Sequence, residues 1–317
     1  MHTIAIDIGG TKFTMAVFAG DRMVRRESRA TNREGGSEWM LARIAEIGKG
    51  WCGEFPVERC GIGFGGPVDW PTQRVTLSTH VGGWTGVDLP GFVRAELGVP
   101  VVMDNDANVG ALGEGIWGAG RGKRPLFYMT LSTGIGGGIL TEHGLYRGAD
   151  SYAGEIGHLT VRPDGPDCLC GSNGCFERMC CGLWLERDYG KPARELLEDP
   201  AFVERYVVDL ARGLKAGIML LNPARIVIGG GSRRRGSGCL GRCGRSWAGR
   251  LRRGAGRGWM SCQRNWGMTA CCGGRSSWRG RQSNLDPWSR VSNPLKRCYC
   301  ESVWDWDWRW RPSALIC

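Results

Sequence analysis

The sequence predicts a mixed α/β protein built from two similar lobes that face each other across a cleft. Short β-branched strands alternate with amphipathic helical segments through about residue 232. A strand followed at once by a glycine-rich turn occurs twice, at residues 7–12 and at residues 130–138. Two lobes explain this repeat better than one long sheet, because each turn then lies at a strand end, where α/β sheets bind their ligands.

The predicted elements of the first lobe, residues 1–115, come first in the chain. Residues 3–8 form a strand with residues 13–19 as its hairpin partner, 39–51 form a helix, 60–64 and 101–103 form strands, and a helix begins near residue 109. In the second lobe, residues 116–232, a strand at 126–131 enters a glycine-rich loop at 132–138, the return strand begins at 139–140, a helix spans 204–221 and a strand spans 226–228.

The composition changes abruptly after residue 232. Residues 233–317 contain 17 Arg, 12 Gly, 9 Trp and 8 Cys, with no apolar periodicity. Such a composition is typical of a GC-rich coding sequence translated out of frame, and our hypothesis is a frameshift near codons 229–235. The alternative is a disordered basic tail that binds nucleic acid or anionic surfaces, because interleaved Arg and Trp can stack on bases.

The net charge of +11 does not describe the predicted lobes. Residues 233–317 carry +14 and residues 1–232 carry −3, so a basic groove for nucleic acid on the lobes is not supported. Neither a signal peptide nor a membrane-spanning apolar run is recognised, and a cytoplasmic location without membrane contact is expected. In a reducing compartment, clustered cysteines indicate a metal site rather than disulfides.

The first turn reads DIGGTK at residues 7–12, directly after a strand. Glycines there let backbone N–H groups approach phosphate oxygens, and Thr11 and Lys12 add a hydroxyl donor and a cation. Asp7 is placed to hold Mg²⁺ through water, because Mg²⁺ keeps most of its hydration shell. A plain β-turn is the alternative interpretation of this motif alone.

The second turn reads STGIGGG at residues 132–138 and lacks the Gly-Lys-Ser/Thr ending of a P-loop. Together the turns predict a nucleotide phosphate chain held from both lobes, whereas the alternative is a glycine-rich hairpin. Between the turns, Asn105 and Asp106 end a strand. A carboxylate there can take the proton of a substrate hydroxyl that attacks a γ-phosphoryl group. The same residue types are also common in Asx-turns and helix N-caps.

The most specific pattern is a histidine followed by three cysteines: His158, Cys168, Cys170 and Cys175. One imidazole and three thiols fit a closed tetrahedral Zn²⁺ site, which is structural because no coordination position stays open. Free thiols in a loop are the alternative. Glu155 and Glu177 flank this pattern, and with His158 they can present hydrogen-bonding groups to a polyhydroxylated ligand.

Taken together, these motifs resemble the ROK family (repressors, open reading frames and sugar kinases) within the hexokinase/actin-like superfamily. The match runs from residue 5 to residue 232 and also includes NDAN at 105–108, GEIGH at 154–158, CLCGSNGCFE at 168–177, NP at 222–223 and GGG at 229–231. The resemblance implies a two-lobed actin-like ATPase fold, similar to ribonuclease H, with an interlobe cleft. Repressors of the family carry an N-terminal helix-turn-helix, so a first turn at residue 7 favours a kinase.

The resemblance also implies a role for each matched position. Asp106 is expected to be the catalytic base, and sugar hydroxyls are expected to meet Gly66, Asn105, Glu155, His158 and Glu177. Zn²⁺ is expected to bind His158, through its second ring nitrogen, together with Cys168, Cys170 and Cys175. ATP with Mg²⁺ is expected to meet Asp7, Gly9, Gly10, Thr11 and Lys12 in the first turn, Thr133, Gly134 and Gly136 in the second, and Gly229, Gly230 and Gly231 at the start of the adenine-binding wall.

The implied reaction is ATP-dependent phosphorylation of a hexose at its 6-hydroxyl, with glucose as the expected substrate. An N-acetylglucosamine or N-acetylmannosamine kinase is the alternative within the enzyme class. A catalytically inactive, zinc-containing sugar-binding protein is another, because no family pattern continues beyond residue 232. A nucleic-acid-binding protein would depend on the tail alone. Relatives lead us to expect a homo-oligomer, either a dimer or a tetramer.

Overall fold

The computed structural model describes residues 1–78 and 81–230. Predictions for Gly231 and for residues 233–317 lie outside these ranges. The elements in chain order are strands β1 (His2–Ile8), β2 (Lys12–Ala19) and β3 (Arg22–Ala30), helix α1 (Gly36–Glu54), strands β4 (Val57–Phe64), β5 (Val68–Asp69) and β6 (Arg74–Val75), helix α2 (Leu89–Leu97), strand β7 (Val101–Asn105), helix α3 (Asp106–Ile116), strands β8 (Leu126–Leu131), β9 (Ile135–Thr141) and β10 (Gly144–Tyr146), a 3₁₀ turn (Ile156–His158), helices α4 (Phe176–Cys180), α5 (Gly182–Tyr189), α6 (Ala193–Leu196) and α7 (Pro200–Leu221), and strand β11 (Arg225–Gly229).

Two sheets share one strand pattern, which confirms the predicted α/β class with two similar halves. The first sheet has the order β3-β2-β1-β4-β7 and the second has the order β10-β9-β8-β11. In each sheet a hairpin (β1–β2 or β8–β9) continues into a third antiparallel strand. On its other side, the first strand of each hairpin pairs with a parallel strand, β4 or β11.

Side chains of β1 point alternately to the two faces of the first sheet, and different helices cover the two faces. Ile4 and Ile6 pack in one apolar cluster with residues of α1 and α2. Ala5, on the opposite face, packs in another cluster with Val109 of α3. Because side chains of a strand alternate between faces, this sheet is buried on both sides, with small residues where α3 approaches.

Helix α3 lies between the two sheets and therefore joins the lobes. On the second sheet it packs against β8 and β9, where Ala107 and Ala111 share a cluster with Tyr128. A Cβ atom built on Gly138 of β9 would lie only 2.3 Å from the carbonyl oxygen of Ala107. The backbones of α3 and β9 are therefore in direct contact, and a side chain cannot fit between them.

One local prediction is wrong: residues 135–138 are not part of a loop. They belong to β9, where Gly136, Gly137 and Gly138 pair with Thr130, Met129 and Tyr128 of β8. The turn is limited to residues 132–134. Gly137 and Gly138 allow backbone atoms of Gly154 and Ala107 to approach the strand closely. The residue pattern alone cannot distinguish this use of glycine from a turn.

None of the helices within the described ranges combines the length and apolarity required to cross a lipid bilayer.

The contact between α3 and β9 predicts a strong effect of one added methyl group. Exchange of Gly138 for Ala should lower the free energy of unfolding by roughly 1–3 kcal/mol, because backbone atoms would have to move apart. Denaturant-induced unfolding measures this change. The control is Gly50→Ala in α1, where the added Cβ would have no atom within 4 Å apart from its chain neighbours and the backbone of its own helix. Because that helix position is exposed, the control should gain roughly 0.5–1 kcal/mol. Equal effects of the two exchanges would contradict the packing argument.

Candidate active site at the junction of the lobes

The first predicted phosphate turn connects β1 to β2 and is held from outside by Thr31. The backbone N–H of Gly9 donates to the carbonyl of Lys12 at 3.0 Å. Thr31 donates from its backbone N–H to the carbonyl of Thr11 at 3.0 Å, and from Oγ1 to the carbonyl of Gly9 at 3.2 Å. These bonds from Thr31 use carbonyl oxygens of the turn, so they fix its shape without occupying the N–H groups of Gly10 and Thr11, which a phosphate would need.

The second turn connects β8 to β9 and is held by the α4–α5 segment in the same manner. The N–H groups of Gly182 and Leu183 donate to the carbonyls of Ser132 and Thr133 at 2.8 and 3.2 Å. At the start of β9, the N–H of Ile135 donates to Oε2 of Glu177 at 2.7 Å. The expected second-turn residues Thr133 and Gly134 lie in this turn, whereas Gly136 lies one residue inside β9.

The end of β11 lies beside the second turn. Gly229 pairs with Thr130 of β8, the neighbouring parallel strand. A Cβ atom on Gly230 would lie 2.3 Å from the carbonyl oxygen of Leu131, which immediately precedes the turn. Gly229 and Gly230 are therefore adjacent to the second turn.

Asp106 is the first residue of α3 and lies close to the first turn. A Cβ atom on Gly65 would be 3.7 Å from Oδ2 of Asp106, 2.9 Å from the carbonyl oxygen of Ile8 and 3.5 Å from the Cα of Gly9. The carboxylate and the turn thus border the same methyl-sized space. Asp7 lies one residue before the end of β1, paired with Thr14.

Asn105, which the sequence predicts to contact sugar, has a structural role as a helix cap. Its Oδ1 accepts hydrogen bonds from the backbone N–H groups of Ala107 and Asn108 at 2.9 and 3.3 Å, which caps α3. Its Nδ2 donates to the carbonyl of Gly66 at 3.0 Å. The amide therefore fixes both the start of α3 and the Gly65–Gly66 turn. The helix-cap interpretation is confirmed for Asn105, and its contact with sugar stays a prediction.

Three carboxyl groups converge where the lobes meet: Asp106, Glu155 and Glu177. Burial, followed by the negative charges of Asp106 and Glu177, raises the pKa of Glu155 from 4.5 to about 7. Burial also raises the pKa of Asp106 from 3.8 to about 6 and the charge of Glu177 adds to this, although a hydrogen bond from the Ala107 backbone opposes it. A carboxyl with a pKa of about 6 is mostly ionised at neutral pH and binds a proton readily, as a general base must.

Glu155 reaches this junction because the preceding glycine adopts a conformation that other residues avoid. Gly154 has a φ of +96°, and a Cβ atom there would lie 2.2 Å from the carbonyl oxygen of Gly137 in β9. The loop therefore rests directly on the strand, with Glu155 just before the 3₁₀ turn.

The four predicted metal ligands form one cluster. The ligand atoms of His158, Cys168, Cys170 and Cys175 all lie within 4.8 Å of one another. The Sγ atoms of Cys170 and Cys175 are 3.6 Å apart, and Nδ1 of His158 is 3.9 Å from Sγ of Cys168. Ligands of a tetrahedral zinc ion lie about 3.5–3.8 Å from one another, so this donor set fits such an ion. Since Nδ1 faces the cluster, Nε2 of His158 is the nitrogen left for another contact.

Sequence reasoning missed a buried ion pair next to Asp106. Asp104, two residues before Asp106, accepts hydrogen bonds from Arg147, which follows β10 in the second lobe. A carboxylate directly after three apolar residues of β7 was the available signal, because a buried charge requires a partner. The identity of that partner, 43 residues away, could not be read from the local pattern.

This chain is similar to known proteins in sequence and in fold. A sequence profile of the ROK family matches residues 3–237. The glucokinase of Thermotoga maritima is 33% identical over an alignment that covers 74% of this chain and 84% of the relative. The structure of a ROK hexokinase from Thermus thermophilus is 32% identical and has a TM-score of 0.67, with 80% of this chain and 89% of that chain covered. A ROK family glucokinase from Streptomyces griseus, in complex with glucose and AMPPNP, is 30% identical and has a TM-score of 0.68, with 78% and 89% covered.

The raised pKa of Asp106 predicts a pH-dependent change in stability. Between pH 3.8 and about pH 6 the folded state binds more protons at this group than the unfolded state, so stability falls as the pH rises. Exchange of Asp106 for Asn removes this cost and should raise the free energy of unfolding by roughly 1–3 kcal/mol at pH 8, and by much less near pH 4.

Urea unfolding at the two pH values measures the effect. Glu34→Gln, at an exposed position, is the control for loss of one negative charge. An Asp106→Asn effect of equal size at both pH values would contradict the assigned pKa.

Proposed function

This chain belongs to the ROK family, and from that premise we propose that it is a kinase that transfers the γ-phosphoryl group of ATP to the 6-hydroxyl of glucose. Relatives named glucokinase and a related structure that holds glucose and AMPPNP support the choice of substrates. The observation that carries the proposal is the position of the Asp106 carboxylate, which borders the first turn and also lies close to the carboxyl groups of the second lobe.

The proposed chemistry follows from the position of Asp106 at the junction. The 6-oxygen of the sugar attacks the γ-phosphorus, the bond from that phosphorus to the β,γ-bridging oxygen breaks, and ADP leaves. Asp106 takes the hydroxyl proton as the new oxygen–phosphorus bond forms. Its pKa of about 6 keeps it ionised at neutral pH without making the proton transfer unfavourable.

The remaining residues are proposed to bind and orient the two substrates. Gly9, Gly10, Thr11 and Lys12 of the first turn, Thr133, Gly134 and Gly136 of the second, and Gly229 and Gly230 would hold ATP. Asp7 would hold Mg²⁺, which neutralises part of the triphosphate charge when bound. Gly66, Asn105, Glu155, His158 and Glu177 would hold the sugar. Contact between the two lobes would exclude water, the competing phosphoryl acceptor, from the site.

We propose that Zn²⁺ is the metal of the cysteine cluster and that it is structural. The donor set offers four protein ligands to a tetrahedral ion, so no coordination position is left for substrate. When bound, zinc would fix the loop that precedes α4, and thereby Glu177 and its bond to Ile135 at the second turn.

Exchange of Asp106 for Asn tests the catalytic assignment. The turnover number with ATP and glucose should fall roughly 100- to 10,000-fold, because the amide cannot accept the hydroxyl proton. Turnover of the unchanged protein should fall as the pH drops below about 6, where Asp106 becomes protonated. ADP release measures both effects, and calorimetric glucose binding shows that the variant still folds.

Retained turnover in Asp106→Asn would refute the assignment. Parallel assays with N-acetylglucosamine, N-acetylmannosamine, mannose and fructose establish the substrate. Faster turnover of an N-acetylated sugar than of glucose would replace the proposed substrate. Glucose binding without ATP turnover would indicate the inactive sugar-binding alternative.

Metal analysis tests the zinc proposal. Exchange of Cys170 and Cys175 together for Ala should remove about one zinc ion per chain relative to the unchanged protein. Cys52→Ala in α1, outside the cluster, is the matched control and should retain that ion. Equal zinc content in the three proteins would contradict the assignment.

The lobe boundaries at residues 115 and 232, the cytoplasmic location and the homo-oligomeric state stay predictions.

A further inference from the structure

Arg147 lies between the lobes, directly after β10, and has no role in the scheme above. Its Nε and one terminal nitrogen donate to the same oxygen of Asp104, Oδ2, at 2.9 and 2.7 Å. Its Cζ lies 3.6 Å from the centroid of the Trp70 ring. Two hydrogen bonds and an aromatic stack together hold the planar guanidinium in one orientation.

Asp104 begins the segment of residues 104–106, here named the catalytic corner because it ends at the proposed base, Asp106. Its side chain is 1% exposed, and its second oxygen, Oδ1, accepts hydrogen bonds from the backbone N–H of Asn105 at 2.8 Å and from Nδ2 of Asn108 at 2.9 Å. Asn105 caps α3, and Asp106 is the first residue of that helix. The orientation of the Asp104 carboxylate therefore fixes the backbone at the start of α3, which carries the proposed base, Asp106.

A second contact joins the same two segments. The backbone N–H of Trp70, just after β5 in the first lobe, donates to Oγ of Ser151 at 3.0 Å. Ser151 follows Arg147 by four residues in the second lobe. Residues 147–151 thus contact the first lobe at two residues, Asp104 and Trp70. Of these two, Asp104 belongs to the catalytic corner.

We propose that Arg147 is a positioning residue for phosphoryl transfer, which holds the Asp104–Asp106 corner of the first lobe against the second lobe. This inference rests on the proposed function. Arg147 acts through Asp104 and contacts neither the reacting hydroxyl nor the phosphates in our scheme. The position of the base, Asp106, therefore depends on the contact between the lobes. Because a small displacement of a reacting group reduces turnover steeply, loss of this contact should slow the reaction.

Steady-state kinetics of Arg147→Ala and Arg147→Lys test the proposal. Turnover should fall about 10- to 100-fold in Arg147→Ala, with the KM values for ATP and glucose changed less than about threefold. Arg147→Lys keeps the charge and one bond to Asp104 and should recover part of the loss. The control is Arg162→Ala, which takes a guanidinium from another buried carboxylate, Asp209, away from the corner.

Each kinetic outcome supports or overturns the proposal. A loss of turnover confined to the Arg147 variants supports it, whereas unchanged turnover in Arg147→Ala overturns it. An equal loss in Arg162→Ala also overturns it, because general destabilisation would then account for both. If Arg147→Ala fails to fold because Asp104 loses its partner, the double variant Asp104→Asn/Arg147→Met provides the test, since it leaves neither charge buried.

Amide hydrogen exchange tests the proposal independently of enzymatic turnover. Residues 105–108 should exchange faster in the Arg147→Ala and double variants than in the unchanged protein, and at the unchanged rate in Arg162→Ala. Unaltered exchange in the double variant overturns the inference. If the unchanged protein phosphorylates no sugar, the proposed function fails, while this exchange measurement still shows whether Arg147 holds the corner.

Discussion

The contact between the backbones of α3 and β9 sets the geometry of the whole junction. A Cβ atom at Gly138 would lie 2.3 Å from the carbonyl oxygen of Ala107, so the helix rests against the strand with nothing between them. Asp106 is the residue immediately before Ala107, and its distance from the carboxyl groups of the second lobe follows from this contact. On its other side α3 packs against small residues of the first sheet, Ala5 and Ala16, which lets one helix serve both lobes.

The junction gathers negative charge from both lobes. Glu155 and Glu177 face Asp106, and burial with mutual repulsion raises the pKa of Glu155 and of Asp106. Each turn is held through its carbonyl oxygens, by Thr31 in the first and by Gly182 and Leu183 in the second. These bonds use carbonyl oxygens of the turns and not N–H groups. The proposed transfer from a phosphate to a sugar would need such N–H groups for the anion and the nearby carboxylates for hydroxyl groups.

The sequence predicted most of what local pattern controls. Strand ends, both turns and the His-Cys₃ cluster followed from residue type and spacing, because each feature occupies a few neighbouring residues. Residues 135–138 were misassigned because glycine allows a tight turn and a close backbone approach equally well, and the helix that approaches Gly138, α3, is distant in sequence. The pairing of Arg147 with Asp104 was also missed, because only the tertiary fold brings these two residues together.

The shared strand pattern of the two sheets bears on how such a cleft can originate. In each half a hairpin turn lies beside a parallel strand, so each half has a turn in the same place relative to its sheet. A chain of half this length could form the same cleft by pairing with a second copy about a twofold axis. Duplication and fusion would then allow each copy to change independently, so that one acquires Asp106 and the other the His-Cys₃ cluster.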